Sequence, residues 1–576
     1  MEIKYDPSAG GFQVNVGGGR SAGRERKPRK PIGGKGVCLL VNLAVTLAFG
    51  LLYFYLKLPA LNFQAEEFYV FLLLLCAVYC GCAVLTSGFS GEGGYFAFVK
   101  KQCRLPVLLA AALLLTGFIG GLSSWVVLRA GSYQKLLTVQ PGDFAAEVDE
   151  ISYDQIPMLD GASAKRLGDR KLGELADMVS QFEVAEDYTQ INYQGRPVRV
   201  TPLRYGDVIK WFNNRAAGLP AYLVIDMVTQ NVEVVRLTDG MKFTTAEHFS
   251  RNLYRHLRFR YPTMLLGEPV FEIDESGTPW WVCPRQQKTI GLFGGLDNRG
   301  AVLVNALTGE SEFREEVPAW VDHVYSADLI VRQYDYYGQY HNGFWNSIFG
   351  QRDVSVTTDG YNYLAIGDDV WVYTGVTSVG GDESNIGFLL SNQRTKETHY
   401  YACAGAEEFS AMGSAQGQVQ QMRYTATFPL LLNIAGQPTY FMALKDASQL
   451  VKMYAMVNVS QYQIVATGGS VLECEANYRT MLARGGFIDE SHSEVAPAEA
   501  TLEKRGVLAE IRSAVIDGNS YYYLRFEGEE DFSVRVSAKD APLAPLLSPG
   551  DRIVVRYLDG HVSQFWIEAY DVEQDA

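Results

Sequence analysis

The chain has 576 residues, of which 48% are hydrophobic and 20% charged, and its net charge is −15. That length exceeds the ~100–200 residues of a single domain, and the composition excludes a disordered chain. A general nucleic-acid binder needs a basic surface, so the acidic balance predicts no nucleic-acid partner.

The N-terminal tail, residues 1–36, differs from the rest of the chain. It carries eight lysine and arginine residues against three acidic ones, whereas the remainder has a net charge of −20. Nine glycines accompany the basic cluster, which predicts a disordered cytoplasmic tail. Its charges either fix the orientation of the following segments or face the anionic inner leaflet of a membrane.

Three apolar runs without charge follow, at residues 37–56, 68–87 and 105–128. Each has the ~20 residues that a helix needs to cross a bilayer, so we predict a transmembrane region over 37–129 with the lipid bilayer as partner. Basic residues flank the runs in the tail and at 88–104, and positive flanks stay in the cytoplasm. The expected location is therefore the plasma membrane, with a cytoplasmic N-terminus and an extracytoplasmic portion after Arg129.

The third run carries Gly117 and Gly121 at the spacing that lets two helices approach closely. One interpretation is packing among the protein's own spans. The other is a homo-oligomer, or a complex with another membrane protein, formed through this span.

Strand and helix patterns mix over 130–217, which predicts an α+β membrane-proximal segment. Residues 242–261 then show helical spacing, with a predicted buried stripe of Phe249, Leu253, Leu257 and Tyr261. Three arginines fall on the opposite face: Arg251, Arg255 and Arg258. Guanidinium groups one turn apart are a candidate site for an anionic envelope polymer or lipid, and the alternative is a solvated face paired with nearby carboxylates.

Two sequence elements recur in the next part of the chain. The first is a Gly-x-Pro-x-aromatic opening, at Gly218, Gly277 and Gly436. The second is a hydrophobic strand ending in an Asn or Asp turn, at Asn305, Asn392 and Asn458. Asn and Asp favour such turns because their side chains bond the backbone that follows. Repetition of this kind predicts several related strand-rich modules.

These repeats resemble the PepSY-type module, a small α+β unit in which a helix packs on a curved antiparallel sheet. The resemblance covers 218–315 and 380–470, within modules that we place at 218–485. The chain also resembles uncharacterised multi-span envelope proteins of bacteria. PepSY-type modules are associated with extracytoplasmic ligand or prodomain binding, so the resemblance implies an envelope location and a binding role.

An acidic linker at 486–503 precedes a separate C-terminal unit at 504–572. Short alternating strands with turns at Asp517–Asn519 and Pro549–Asp551 predict a small β-barrel of the OB or SH3 type there. The predicted fold class is therefore α+β: three transmembrane helices, strand-rich modules and a small barrel.

No HExxH, GxxxxGK[ST] or GxSxG motif occurs in the sequence, so we predict no metal ion and no cofactor and favour a non-catalytic protein. The best carboxylate pair is Asp382 and Glu383, which could bind a cation or act as acid and base, or simply form a polar loop. Cys283, Cys403 and Cys474 are too few for a disulfide framework.

An aromatic cluster is the second candidate site. Its members are Tyr334, Tyr336, Tyr337, Tyr340, Phe344, Trp345 and Phe349, with His341 among them. Aromatic rings beside hydrogen-bonding groups suit a sugar or a peptide, and they also suit a membrane interface or an ordinary core.

The sequence thus predicts a membrane-anchored binding or scaffold protein of the bacterial envelope. Its expected partner is an envelope polymer, a peptide or a membrane protein. Two alternatives stay open. One is an envelope hydrolase or transferase built from Asp382, Glu383 and His341, and the other is a structural subunit of a membrane complex.

Overall fold

The structure is a computed structural model, and it describes residues 2–6, 11–15, 31–87, 95–150, 156–157, 159–379, 384–488, 501–516, 519–529, 533–538, 541–562 and 567–574. The α-helices in these residues are α1 Lys35–Lys57, α2 Glu66–Thr86, α3 Tyr95–Ser123, α4 Val126–Tyr133, α5 Phe144–Glu147, α6 Gly161–Gly173, α7 Val208–Asn214, α8 Leu253–Arg260, α9 Ala327–Tyr340, α10 Glu408–Gln418 and α11 Val471–Arg484. The strands are β1 Glu2–Asp6, β2 Gly11–Asn15, β3 Gln140–Gly142, β4 Phe182–Val184, β5 Thr189–Tyr193, β6 Arg196–Tyr205, β7 Leu219–Asp226, β8 Val232–Met241, β9 Leu265–Leu266, β10 Val270–Ile273, β11 Pro279–Ile290, β12 Gly294–Asn305, β13 Ser311–Arg314, β14 Ser355–Thr357, β15 Asn362–Ile366, β16 Asp369–Ser378, β17 Ser384–Asn392, β18 Thr398–Ala406, β19 Thr425–Ala426, β20 Leu430–Ile434, β21 Gln437–Lys445, β22 Val451–Asn458, β23 Val465–Gly468, β24 Thr501–Ile516, β25 Asn519–Phe526, β26 Ser533–Ser537, β27 Arg552–Val562 and β28 Ile567–Gln574.

The chain forms two compact units that interleave in sequence. The helical unit comprises Met1–Arg129, Glu247–Gly267 and Arg285–Asp297, and the sheet unit comprises Ala130–Ala246, Glu268–Pro284 and Asn298–Ala576. The helical unit therefore contains α8 and the outer part of the β11–β12 hairpin, which lie far from the apolar helices in sequence.

Three helices of the helical unit, α1, α2 and α3, are long and apolar enough to cross a membrane. They correspond to the three apolar runs of the sequence, although the third helix begins earlier than its run, at Tyr95. Helix α2 packs against both α1 and α3. Most of their surface is exposed apolar side chain, which is the surface that lipid covers in a membrane.

A buried polar network ties the three apolar helices together near one end. Asn42 donates to Gln102 Oε1 at 3.1 Å, and Thr86 donates to Asn42 Oδ1 at 2.9 Å. Polar side chains in apolar helices act as specific links, because an unpaired polar group in hydrocarbon is unfavourable. In the N-terminal tail, β1 pairs antiparallel with β2, where the sequence predicts disorder.

Four antiparallel sheets with one shared topology make up most of the sheet unit. In each sheet the third strand is long and pairs with the two short strands that precede it in the chain. The third strand also pairs with the fourth, and the fourth pairs with the fifth. The four sheets are β4–β8, β9–β13, β14–β18 and β19–β23, and β3 adds to the third sheet in parallel with β18. The repeats in the sequence therefore correspond to a fourfold structural repeat.

The turn before each third strand has a glycine in the left-handed region. These glycines are Gly195, Gly277, Gly367 and Gly436, with φ between 64° and 79°. Only glycine adopts such a φ without steric cost, which fixes the start of the strand. The Gly-x-Pro repeat is confirmed at Gly277 and Gly436. At Gly218 the assignment was wrong, because that residue precedes the fourth strand of its sheet and Gly195 holds the equivalent turn.

The turn after each fourth strand is the one that the Asn and Asp repeats predict. Asn305 Oδ1 accepts from the N–H groups of Leu307 and Thr308 at 2.9 and 3.0 Å. Asp226 and Asn392 make the same pair of bonds, and Asn458 accepts from Gln461 N–H at 2.8 Å. These side chains satisfy backbone donors that the turn would leave without a partner.

Asp322 joins three of the sheets. Its Oδ2 accepts from Asn192 N–H of β5 at 2.8 Å, and its own N–H donates to Glu272 Oε2 of β10 at 2.9 Å. Glu272 also accepts from the N–H and Nδ1 of His323, both at 3.0 Å. Burial and the nearby carboxylates of Glu272 and Asp369, the latter in β16, raise the pKa of Asp322 well above its ordinary value.

The C-terminal strands pair in the order β24-β25-β26-β28-β27, and β27 pairs again with β24. The pairing therefore returns to its first strand, as in a small closed barrel. Its core includes Leu508, Leu524, Val534 and Ile553. The finer OB or SH3 assignment stays a prediction.

Candidate functional site

Helix α9 carries the aromatic cluster and packs on the third sheet. Ile330 and Tyr334 lie in a core with Val372 and Leu389 of that sheet. At Gly338 an added methyl group would collide with the carbonyl oxygen of Ser355, so a glycine is required where the helix meets β14. This close approach fixes the position of the C-terminal half of α9.

A carboxylate holds the same helix to the edge strand. Asp335 Oδ1 accepts from the N–H and the hydroxyl of Thr357, at 2.9 and 3.1 Å. Burial raises the pKa of Asp335. The hydroxyl of Tyr334 is likewise buried, and its pKa rises for the same reason.

Beyond this contact, the helix and the sheet enclose a cleft of about 760 Å³. Helix α9 lines it with Tyr334, Tyr337 and Gly338, and His341, the residue just after the helix, lines it as well. The sheet and the β3 segment contribute Val139, Pro141, Ser378, Val379, Ile386 and Tyr400, and the chain after the aromatic cluster contributes Gln351, Asp353, Val354 and Ser355. The volume falls within the ~300–1,000 Å³ that is usual for small-molecule sites.

The aromatic residues in and beside α9 form two rows. The inner row faces the cleft: the ring centroids of Tyr334 and Tyr337 are 5.8 Å apart, and those of Tyr337 and His341 are 6.2 Å apart. The outer row is Tyr133, Tyr336, Tyr340 and Phe344, with successive centroids 4.9, 5.9 and 6.1 Å apart, and it continues to Trp345 and Phe349. Of the predicted site residues, Tyr337 and His341 line the cleft, whereas Tyr336, Tyr340 and Trp345 lie in the outer row.

One wall of the cleft has an unusual backbone. A π-helical turn at Asn346–Gly350 leads into Gln351 and Asp353, both in the left-handed region with φ of 47° and 54°. The side-chain amides of Asn342 and Asn346 donate to the carbonyl of Arg352 at 3.1 and 2.8 Å and hold this segment. Strained backbone and π-helical turns concentrate at functional sites. Sequence analysis missed Gln351 and Asp353, and the asparagines beside the aromatic cluster are the signal that points to them.

The predicted arginine site has a different role. Arg255 Nε donates to the carbonyl of Tyr55 at 3.3 Å, and its guanidinium lies 4.2 Å from the centre of the Tyr55 ring. Arg258 donates to the carbonyls of Leu58 and Met264 at 2.9 and 2.7 Å. Both arginines thus bind the C-terminal end of α1, where helix carbonyls lack partners and the dipole is negative.

The other predicted site residues that the structure describes do not line the cleft. Arg251 is half-buried in a 3₁₀ turn before α8. Next to Gly117 and Gly121, no atom lies within 4 Å of the place of a Cβ in the described part of the chain. Asp382 and Glu383 lie outside the described residues. The predicted role of these two carboxylates therefore stays a prediction, as does the hydrolase or transferase hypothesis.

The cysteines and metal-ligand residues add no further site. All eight cysteines are free thiols, and burial raises the pKa of Cys474 to about 12. Within the described ranges, no group of three or more His, Cys, Asp or Glu residues is arranged to hold a metal ion. The sequence matches no known protein family, and no curated protein matches it as a relative.

Proposed function

We propose that this protein is a membrane-anchored, extracytoplasmic binding protein of the bacterial envelope whose ligand occupies the α9 cleft. The cleft itself is the observation that carries the proposal: tyrosine rings, His341, Asp353 and Gln351 converge on one cavity of ligand size. This combination of apolar faces and hydrogen-bonding groups favours an uncharged amphipathic ligand, such as a segment of a glycan or a peptide.

The proposed orientation has support from the helical unit alone. Leu61 N–H in the loop between α1 and α2 donates to the carbonyl of Pro262 at 2.8 Å, and Gln64 in the same loop donates to that of Lys288. Ser124, just after α3, accepts from Phe293 N–H at 2.9 Å. Later segments of the chain thus meet the apolar helices at the first-loop end, which the distribution of positive charge assigns to the outside.

We further propose that the repeated sheets are PepSY-like modules. In support, a helix precedes each of the four sheets in sequence: α6, α8, α9 and α10. Helices α6, α9 and α10 contact strands of the sheets that follow them. The alternation of one helix with one meander is the arrangement that the PepSY resemblance implies.

The experiment is a calorimetric titration of the full chain in lipid nanodiscs, which measures binding affinity. The two probes are chitotetraose and tetra-alanine. We expect saturable binding of one probe and a roughly tenfold loss of affinity in Tyr337→Ala, because a ring that lines the cleft is removed. Tyr336→Ala is the matched control, since its ring lies in the outer row of the same helix. Equal affinities of the two variants, or no saturable binding of either probe, would contradict the proposal.

A second candidate function is that of a subunit in a membrane complex. The open surface at Gly117 and Gly121 supports it, because no described residue packs on these glycines. The third span would then seat a helix of another chain.

A further inference from the structure

Helix α8 and the turn before it have a surface unlike that of a water-exposed helix. Leu253 and Leu257 are buried beneath the helix. On the outside, Phe249, Tyr254 and Phe259 remain 62%, 44% and 56% exposed. Phe249 is also held in the left-handed region with a φ of 53°, which is unfavourable for a bulky side chain. Large aromatic side chains in water are unfavourable unless another phase or partner covers them.

The position of α8 within the helical unit indicates what covers these rings. Arg255 and Arg258 bind the carbonyls of Tyr55 and Leu58, so α8 lies at the C-terminal end of α1. The ring of Phe259 packs edge-on against Phe54, with centroids 5.5 Å apart. The helix is therefore at the level where the first apolar helix ends.

The exposed rings continue the exposed apolar surface of the apolar helices. Leu52 and Leu56, in the last two turns of α1, are 58% and 59% exposed. Phe63 in the first loop and Trp125 just after α3 are also exposed at this end of the unit. Tyrosine and tryptophan concentrate at the boundary between hydrocarbon and water because their rings are partly apolar and partly polar. Helices that lie in this boundary also bury phenylalanine and leucine on the face that enters the membrane.

We infer that Phe249–Arg260 forms an interfacial element that lies in the outer leaflet of the bilayer and inserts Phe249, Tyr254 and Phe259 at headgroup depth. Arg255 and Arg258 anchor the element to α1, and the exposed Arg260 faces the phosphate layer. The inference rests on insertion of the three apolar helices in a membrane and is independent of the α9 cleft. Of the two ligands expected for the arginines of this helix, an anionic polymer or a lipid, it favours lipid and assigns the contact to the aromatic residues.

The test is carbene labelling of the full chain in vesicles that contain a phosphatidylcholine with a diazirine near the carbonyl end of its acyl chain. Adducts are mapped by tandem mass spectrometry. We expect adducts on Phe249–Arg260 and on the ends of α1–α3, and none on α6 of the sheet unit. Phe249→Gln and Phe259→Gln should each lower labelling of this segment several-fold while labelling of α1 persists.

The control variant is Phe409→Gln, because Phe409 is 49% exposed but belongs to α10 of the sheet unit. It should leave the labelling of Phe249–Arg260 unchanged. Adducts on the apolar helices without adducts on this segment would overturn the interfacial element alone. Unlabelled apolar helices would overturn membrane insertion as well, and equal labelling of α6 would overturn the inference because the probe then does not report depth.

Discussion

The clearest residue-level consequence concerns Asp322, a buried carboxylate beside a second one. The folded state raises its pKa because burial and the charges of Glu272 and Asp369 disfavour ionisation. A group with a raised pKa binds its proton more tightly in the folded state than in the unfolded state. Its contribution to stability is therefore greatest in acid and is lost as the pH rises towards the folded-state pKa.

We predict that Asp322→Asn stabilises the protein at neutral pH. The amide has the shape of the neutral acid and does not ionise, so the gain should be about 1–3 kcal/mol in the free energy of unfolding. The measurement is the thermal unfolding midpoint of both chains in detergent between pH 5 and pH 8. The difference between them should widen as the pH rises, and a difference that narrows would contradict the assignment.

The role of a residue was predictable when its partners are close in sequence, and it was not predictable when they are distant in sequence. The Asn and Asp turns depend on atoms two or three residues away, so Asn305 and Asn392 were recognised correctly. Arg258 binds Leu58, which is 200 positions earlier in the chain, and no local pattern encodes that contact. Likewise, helical spacing separates the two faces of α9 without indicating which of them meets a cavity.

At the level of elements, the N-cap residue indicated where a helix begins better than the spacing of hydrophobic residues did. The sequence predicts a helix over 242–261, whereas α8 begins at Leu253, with the Asn252 side chain accepting from Arg255 N–H. Phe249 breaks the pattern through its left-handed backbone, so it is exposed rather than buried. The buried stripe was correct only for Leu253 and Leu257.

The glycines of α3 give a prediction about helix packing. A Cβ at Gly120 would lie 2.6 Å from the ring of Phe293 and 2.7 Å from Leu292, whereas at Gly117 it would meet no atom of the described residues within 4 Å. Gly120→Ile should therefore lower the thermal unfolding midpoint in detergent, at a cost of ~1–3 kcal/mol from overpacking. Gly117→Ile should leave the midpoint unchanged, and equal effects of the two variants would contradict this packing.

The paired substitution Gly117→Ile and Gly121→Ile tests the second candidate function. If the third span seats another helix, two branched side chains on this face should separate the complex. Native gel electrophoresis in a mild detergent measures the assembly directly. An unchanged size would exclude a role for these glycines in assembly, and Gly120→Ile is the control for a general loss of folding.

For the whole molecule, the decisive prediction concerns sidedness. A cysteine placed at the exposed Asp169 on α6 should react with a membrane-impermeant maleimide in intact cells. A cysteine at the exposed Lys100, near the start of α3 and away from the first loop, should react only after permeabilisation. Labelling above the wild-type level is the measurement, and the reverse pattern would contradict the proposed orientation.

At this scale, the sequence alone predicted three apolar helices, strand-rich repeats and a C-terminal strand unit, because each has a strong local period. It did not predict that there are four sheets of one topology, because the opening at Gly195 lacks the aromatic residue of the repeat and the opening at Gly367 lacks its proline. Nor could it assign α8 to the helical unit, because that assignment depends on tertiary contacts with α1.

The interleaving of the two units bears on how the protein can be processed by proteases. A single nick just after Arg129 would sever the polypeptide, but the downstream fragment would still carry Glu247–Gly267 and Arg285–Asp297, which fold with the apolar helices. Shedding of the downstream fragment therefore requires either further cleavages around these two segments or their extraction from the helical unit. A fold organised in this way keeps the downstream fragment attached to the apolar helices after one proteolytic cut.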